Sequence, residues 1–67
     1  TARSLLAELA PERRAVLVMF EVEGMSCAEI AESVGAPVGT VYSRLHAARK
    51  DFARALSRSR ARQRRRS

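Results

Sequence analysis

Hydrogen-bonding and cationic side chains follow a turn-forming segment in the middle of the chain. Residues 35–50 read GAPVGTVYSRLHAARK, and Gly35, Pro37 and Gly39 precede or open a stretch that favours helix. The polar side chains in its first turns are Thr40, Tyr42, Ser43, Arg44 and His46. Hydroxyl, imidazole and guanidinium groups at the start of a helix suit hydrogen bonding to base edges and phosphates. The pattern predicts that one end of this helix binds a nucleic acid.

A short helix and a tight turn must position these side chains. Ser26 and Glu29 have the spacing of a capping box, which predicts a helix from Cys27 to Val34. Gly35 then suits the left-handed residue that ends a helix. The apolar residues of the long final helix step by three and four at Val38, Val41, Leu45, Ala48, Phe52 and Leu56. A short helix, a glycine-containing turn and a longer helix predict a helix-turn-helix over 26–54.

Two further helices are predicted before this unit. The second helix starts at Pro11, which suits a first turn, and runs to about Val22 before Gly24 ends it. Its apolar stripe is Val16, Leu17, Met19 and Phe20, and the first helix carries Leu5, Leu6 and Leu9. The chain has 67 residues, enough for one small core, and 46% of them are hydrophobic. The predicted fold class is all-α, a small four-helix bundle in residues 1–56.

Charge is divided unevenly along the chain, whose net value is +6. Residues 1–37 hold six glutamates against three arginines, and residues 38–56 hold four cationic side chains against one aspartate. Residues 57–67 read SRSRARQRRRS, with six arginines and no acid. This basic segment has too little apolar content to bury a core and is predicted to be a disordered tail. It is either a sequence-independent arm on phosphate groups or a solubilising end.

Several function classes find no support in the sequence. Cys27 has no second cysteine for a disulfide and is expected to be a small buried hydrophobe, and His46 is the only histidine. We therefore predict no metal site and no cofactor. Neither a nucleophile with its base nor a phosphate-binding glycine loop can be found, so no catalytic residue is predicted. The absence of catalytic motifs predicts that the protein is not an enzyme. The chain also lacks a long apolar run and a secretory signal, which predicts a soluble, intracellular protein with no membrane span.

Residues 5–56 resemble a family of transcription factors in three motif blocks. The blocks are LxxLxPxxR at Leu6 to Arg14, EGMSCAEIAESVG at Glu23 to Gly35 and PVGTVYSRLHAAR at Pro37 to Arg49. In this order and spacing they resemble region 4 of an extracytoplasmic-function (ECF) sigma factor, in the sigma-70 family. The resemblance implies a cytoplasmic bacterial domain that recognises the −35 promoter element through its last helix. It also implies a DNA-melting domain before Thr1 in the full protein.

The resemblance assigns DNA contacts residue by residue. The predicted DNA-binding set is Thr40, Tyr42, Ser43, Arg44, His46, Ala47, Arg49 and Lys50. Arg44 and Arg49 can make bidentate bonds to guanine or clamp a phosphate, and Ala47 can pack on a thymine methyl. His46 can contact a base or a phosphate, or remain solvated. The alternative for the later cationic residues is the solvated face of a long helix.

The family also implies protein partners. The resemblance implies docking on the β-subunit flap of the RNA polymerase core and control by an anti-sigma factor. A groove for a partner helix is predicted from Leu5, Leu6, Leu9, Val18 and Phe20, because exposed apolar patches often mark interfaces. The isolated domain is expected to be a monomer.

Two other functions stay open at this point. One is a sigma-like interaction module that binds an anti-sigma factor without reading DNA, although the cationic final helix argues against it. The other is the helix-turn-helix output domain of a response regulator, in which a receiver domain would occupy the place of the DNA-melting domain.

Overall fold

Four α-helices make up the computed structural model, which describes the backbone of residues 2–66 and the side chains of residues 3–64. They are α1 (Ala2–Ala7), α2 (Pro11–Glu21), α3 (Cys27–Val34) and α4 (Val38–Arg66). Between residues 2 and 66 there is no β-strand. The prediction of an all-helical chain with four helices is confirmed.

Helix α4 is the element against which the others pack. Its 29 residues span most of the molecule's 46 Å length, and α1, α2 and α3 all lie against it. The core cluster is Leu9, Val16, Leu17, Cys27, Ile30, Val41, Leu45 and Ala48. Val16, Ile30 and Val41 are completely buried and come from three different helices. Among the described helices, none has the length and apolar character required to cross a membrane.

The helix ends follow their local signals. Pro11 lies in the first turn of α2, and the capping box of Ser26 and Glu29 opens α3. Gly35 ends α3 with φ of 69°, and Gly24 adopts φ of 70° between α2 and α3. Residues with a Cβ rarely adopt this left-handed conformation, so glycine is required at both turns.

The buried side of α4 differs at two positions from the predicted stripe. Val38 is 44% exposed, because it lies one turn before Val41 and beyond the end of the core. Ala55 is buried, with 1% exposure, although the predicted stripe placed Leu56 at this turn. Leu56 is half-buried. Alternating steps of three and four average about 3.5 residues and drift by about 20° per seven residues around a 3.6-residue helix, so adjacent apolar residues late in a long helix cannot be ranked from spacing alone.

The basic segment continues α4 in the structure, whereas the sequence predicts disorder from residue 57. Alanine, arginine and glutamine are good helix formers, and extending an existing helix costs far less than nucleating a new one. No described side chain of α4 beyond Ala55 is buried. The described part of this segment is therefore a helix without a core contact, while Ser67 and the side chains of residues 65–66 lie outside the described residues. The division into a domain of residues 1–56 and a tail of residues 57–67 stays a prediction.

Candidate nucleic-acid interface

Backbone hydrogen bonds close the end of α3 and open α4 on either side of a short turn. The amides of Gly35 and Ala36 both donate to the carbonyl oxygen of Ala31, at 3.0 and 3.1 Å. On the other side of the turn, the amide of Thr40 donates to the carbonyl oxygen of Pro37 at 3.0 Å. The turn between the helices is thus three residues long, and it gives a short helix followed directly by a long one.

Most of the predicted DNA-binding side chains lie on the side of α4 opposite the core. Val41, Leu45 and Ala48 are buried, and Tyr42 between them is 59% exposed. Four other residues of the predicted DNA-binding set are also exposed: Ser43, His46, Arg49 and Lys50. Three others are half-buried: Thr40, Arg44 and Ala47. The first turns of α4 therefore present hydroxyl, phenol, imidazole and guanidinium groups from a helix whose opposite side is held in the core.

The cationic residues of this face are in different electrostatic surroundings. Arg44 and Lys50 make no ion pair with any described side chain. Arg49 instead donates from Nη2 to Oε1 of Glu21 on α2, at 2.7 Å. Its guanidinium carbon also lies 5.3 Å from the centre of the Phe20 ring, within the range of a cation–π contact. The structure thus brings Arg49 to α2 and leaves the other two cations unpaired.

Two more ion pairs connect the N-terminal part of the chain to α4: one from α2 and one from the segment between α1 and α2. Arg13 donates to Asp51 at 2.7 Å, and Arg58 donates to Glu8 at 2.8 Å. Asp51 also lies 3.8 Å from Arg54 one turn later. The sequence signal was the excess of acid before residue 38 and of base after it. Which acid meets which base depends on how the helices pack, so these pairs were not predicted.

An apolar groove runs between α1, α2 and α4, with a volume of about 450 Å³. Leu6 and Val18, both predicted for partner binding, line it. Leu5 on α1 and Leu9, two residues beyond the end of α1, are buried instead, so the groove is formed without them. Phe20 is half-buried beneath Arg49 and is not among the lining residues. The remaining lining residues are Leu17, Glu21, Val22, Arg49, Phe52, Ala53 and Leu56.

The capping box of α3 perturbs the carboxyl group that takes part in it. The Ser26 backbone amide, and after it the Ser26 hydroxyl, lower the pKa of the Glu29 carboxyl below its ordinary value, because both hydrogen bonds favour the charged form. No polar or charged side chain is buried among residues 3–64. What this part of the chain presents chemically is an exposed polar helix end and an apolar groove.

Comparison with known proteins assigns the family. The family described as "Sigma-70, region 4" matches residues 2–52, which include all four helices as far as Phe52. The chain is also 40% identical over 50 residues to the "ECF RNA polymerase sigma factor SigE" of Mycolicibacterium smegmatis. That alignment covers 75% of this chain and 20% of the relative, so the chain spans about a fifth of the relative's length. Since the family match covers most of the chain, the chain belongs to the sigma-70 region 4 family.

Proposed function

We propose that this chain is the −35-reading domain of an ECF sigma factor, which directs RNA polymerase to promoters in the bacterial cytoplasm. The observation that carries the proposal is the exposed polar start of α4, opposite a buried stripe, in a chain of the sigma-70 region 4 family. The family is non-enzymatic, and the relative's name, ECF RNA polymerase sigma factor, supports the subclass.

Base reading is the role of Ser43, Arg44, His46 and Ala47. Arg44 is unpaired and can donate two parallel hydrogen bonds to guanine O6 and N7 in the major groove. Ser43 is exposed and short, which suits close approach to a base edge. His46 and Ala47 follow on the same side, where imidazole can donate to a base and the alanine methyl can contact a thymine methyl.

Phosphate contacts hold the helix in register. Thr40 and Tyr42 lie in the first two turns of α4, where the positive end of the helix dipole favours an anion. Lys50 is exposed and unpaired, and it supplies a charge that does not depend on base sequence. Such contacts position the protein on the duplex, while the base contacts supply the specificity.

The apolar groove is the proposed docking site for the polymerase. Leu6, Val18 and Leu56 are half-buried around a 450 Å³ space, and an amphipathic helix seats apolar anchors in such a groove. The proposed occupant is the flap of the β subunit, and an anti-sigma factor is expected to compete for the same surface. The domain acts as a monomer within this assembly.

Titration of the chain with two duplexes tests the proposal. Amide NMR spectra are recorded with a duplex selected from a random pool by the chain, and with a scrambled duplex of equal length at the same salt concentration. We expect sequence-dependent shifts between Thr40 and Lys50, and shifts common to both duplexes beyond residue 57. If α4 does not respond to either duplex, promoter reading by this chain is excluded, and an interaction-only module becomes the better account. Attachment to a receiver domain in the full-length protein would favour a response regulator.

A further inference from the structure

One cation of the predicted DNA-binding set, Arg49, contacts side chains of α2. The guanidinium of Arg49 contacts the Glu21 carboxylate at 2.7 Å and lies over the Phe20 ring at 5.3 Å. Glu21 and Phe20 are the last two residues of α2, so the contacts join the end of that helix to the middle of α4. Among the cations between Arg3 and Arg62, no other pairs in this way with both a carboxylate and a ring.

We propose that Arg49 is a positioning residue: it holds α4 at its angle on α2 through Glu21 and Phe20, and it does not contact DNA. The inference rests on the proposed function, because it concerns how the reading end of α4 is aimed. It departs from the resemblance, which assigns Arg49 a DNA contact.

The charge arrangement supports this assignment. A phosphate approaching Arg49 meets the Glu21 carboxylate on the same guanidinium, and the pair carries no net charge. To clamp the phosphate, Arg49 would have to give up both the carboxylate and the ring. Arg44 and Lys50 are available to phosphates without such a loss.

The planar guanidinium is also the group that suits both contacts. It can hydrogen bond to a carboxylate at its edge while stacking on an aromatic ring with its face. Lysine at this position would keep the charge and lose that geometry. The two contacts together fix the side chain more closely than a single exposed ion pair, whose partners here are 53% and 51% exposed.

Four variants separate positioning from direct contact: Arg49→Ala, Arg49→Lys, Glu21→Gln and the double variant Arg49→Ala/Glu21→Gln. Glu32→Gln is the matched control, because Glu32 is exposed and has no ion pair among the described side chains. Affinity for the selected and scrambled duplexes is measured over a range of salt concentrations. The preference for the selected duplex is the ratio of the two affinities.

We expect Arg49→Ala and Glu21→Gln each to lower this preference by about two- to five-fold, the range of an exposed ion pair. The double variant should lose no more than the larger single effect, because both changes remove one contact. Arg49→Lys should not restore the preference. The slope of affinity against salt should remain as in the wild type, and Glu21→Gln should bind the scrambled duplex slightly more tightly because an acid is removed.

A direct phosphate contact gives a different result and would overturn the inference. Arg49→Ala would then reduce the salt slope by about 0.9, Arg49→Lys would largely restore binding, and Glu21→Gln would leave the preference unchanged. If the wild-type chain shows no preference for any duplex, the proposed function is overturned. The inference about Arg49 is then overturned as well, because it concerns how the reading end of α4 is aimed.

The contact itself is checked without DNA. The side-chain protons of Arg49 should be shifted upfield by the Phe20 ring in the wild type, and Glu21→Gln should reduce that shift. Absence of the shift in the wild type overturns the inference even where duplex preference is present.

Discussion

Ser26 and Glu29 exchange hydrogen bonds across the first turn of α3. The amide of Ser26 donates to Oε1 of Glu29 at 2.8 Å, and the amide of Glu29 donates to Oγ of Ser26 at 3.1 Å. Two amides that have no partner within the helix are satisfied in this way. The arrangement fixes the start of α3, and α3 in turn fixes the turn from which α4 begins.

This capping box predicts a pH-dependent contribution to stability. The Ser26 backbone amide, and after it the Ser26 hydroxyl, lower the pKa of the Glu29 carboxyl in the folded state, so the contribution is present above the ordinary value of 4.5 and is lost as the pH falls through the lowered folded-state value. Glu29→Gln keeps an acceptor at this position but cannot titrate. We expect the stability advantage of the wild type over this variant to be constant near neutral pH and to shrink below about pH 4.5.

Urea denaturation of both proteins from pH 7 to pH 3 provides the measurement, since the difference between them cancels the other carboxylates. A difference that grows as the pH falls would contradict the assignment.

Ile30 is expected to be the most sensitive position of α3. Its side chain is completely buried between elements that form the helix-turn-helix. Ile30→Val should cost about 0.5–1.5 kcal/mol and Ile30→Ala about 2–5 kcal/mol. A chain of this size is stabilised by only about 3–10 kcal/mol, so the alanine variant should be partly unfolded at room temperature. Circular dichroism during urea denaturation measures the cost, with Val22→Ala at a 73% exposed position as the control. Equal stability of Ile30→Ala and wild type would exclude this role.

Much of the fold was predictable because its signals are local. The start of α2 and both ends of α3 follow from Pro11, the Ser26 capping box and Gly35, which act on adjacent backbone groups. The buried stripe of α4 from Val41 onward follows from helical spacing, since only one side of a helix can face a small core.

Other features depend on which helices meet, and residue spacing does not carry that information. Leu5 and Leu6 are adjacent and equally apolar, yet only Leu6 lines the groove, because the angle of α1 on α4 decides between them. The pairing of Arg49 with Glu21 spans 28 residues and exists only because α2 ends beside the middle of α4.

Arg44 and Lys50 should differ in what they contribute to DNA binding. Arg44→Ala removes a side chain suited to bidentate base contact, and we expect a loss of about 1–3 kcal/mol on the selected duplex with little loss on the scrambled one. Lys50→Ala should weaken binding to both duplexes equally and reduce the salt slope by about 0.9. Fluorescence anisotropy at several salt concentrations measures both quantities. Equal losses on both duplexes for Arg44→Ala would show that Arg44 contacts phosphate only.

A charge placed in the apolar groove should block partner docking. Leu6→Arg puts a cation among apolar lining residues, and we expect it to weaken binding of a synthetic β-flap helix at least ten-fold, since a buried unpaired charge is costly. Ala7→Arg adds the same charge at the next, exposed position of α1 and should leave peptide binding unchanged. Isothermal titration calorimetry measures both, with duplex affinity as a check that the variants remain folded. Undiminished peptide binding by Leu6→Arg would place the flap elsewhere on the domain.

The arginine-rich end of α4 should determine the salt dependence of DNA binding without affecting its specificity. Deleting residues 60–67 removes five arginines and keeps the ion pair between Arg58 and Glu8. If each arginine neutralises one phosphate, the slope of log affinity against log salt should become less steep by about 4 to 5. The ratio of affinities for the selected and scrambled duplexes should be unchanged, because phosphate contacts carry no base sequence. Replacing the same five arginines by glutamine is the matched variant of full length and should behave as the deletion does. An unchanged slope in both variants would identify this end as solubilising, and a changed affinity ratio would show that it contributes to base reading.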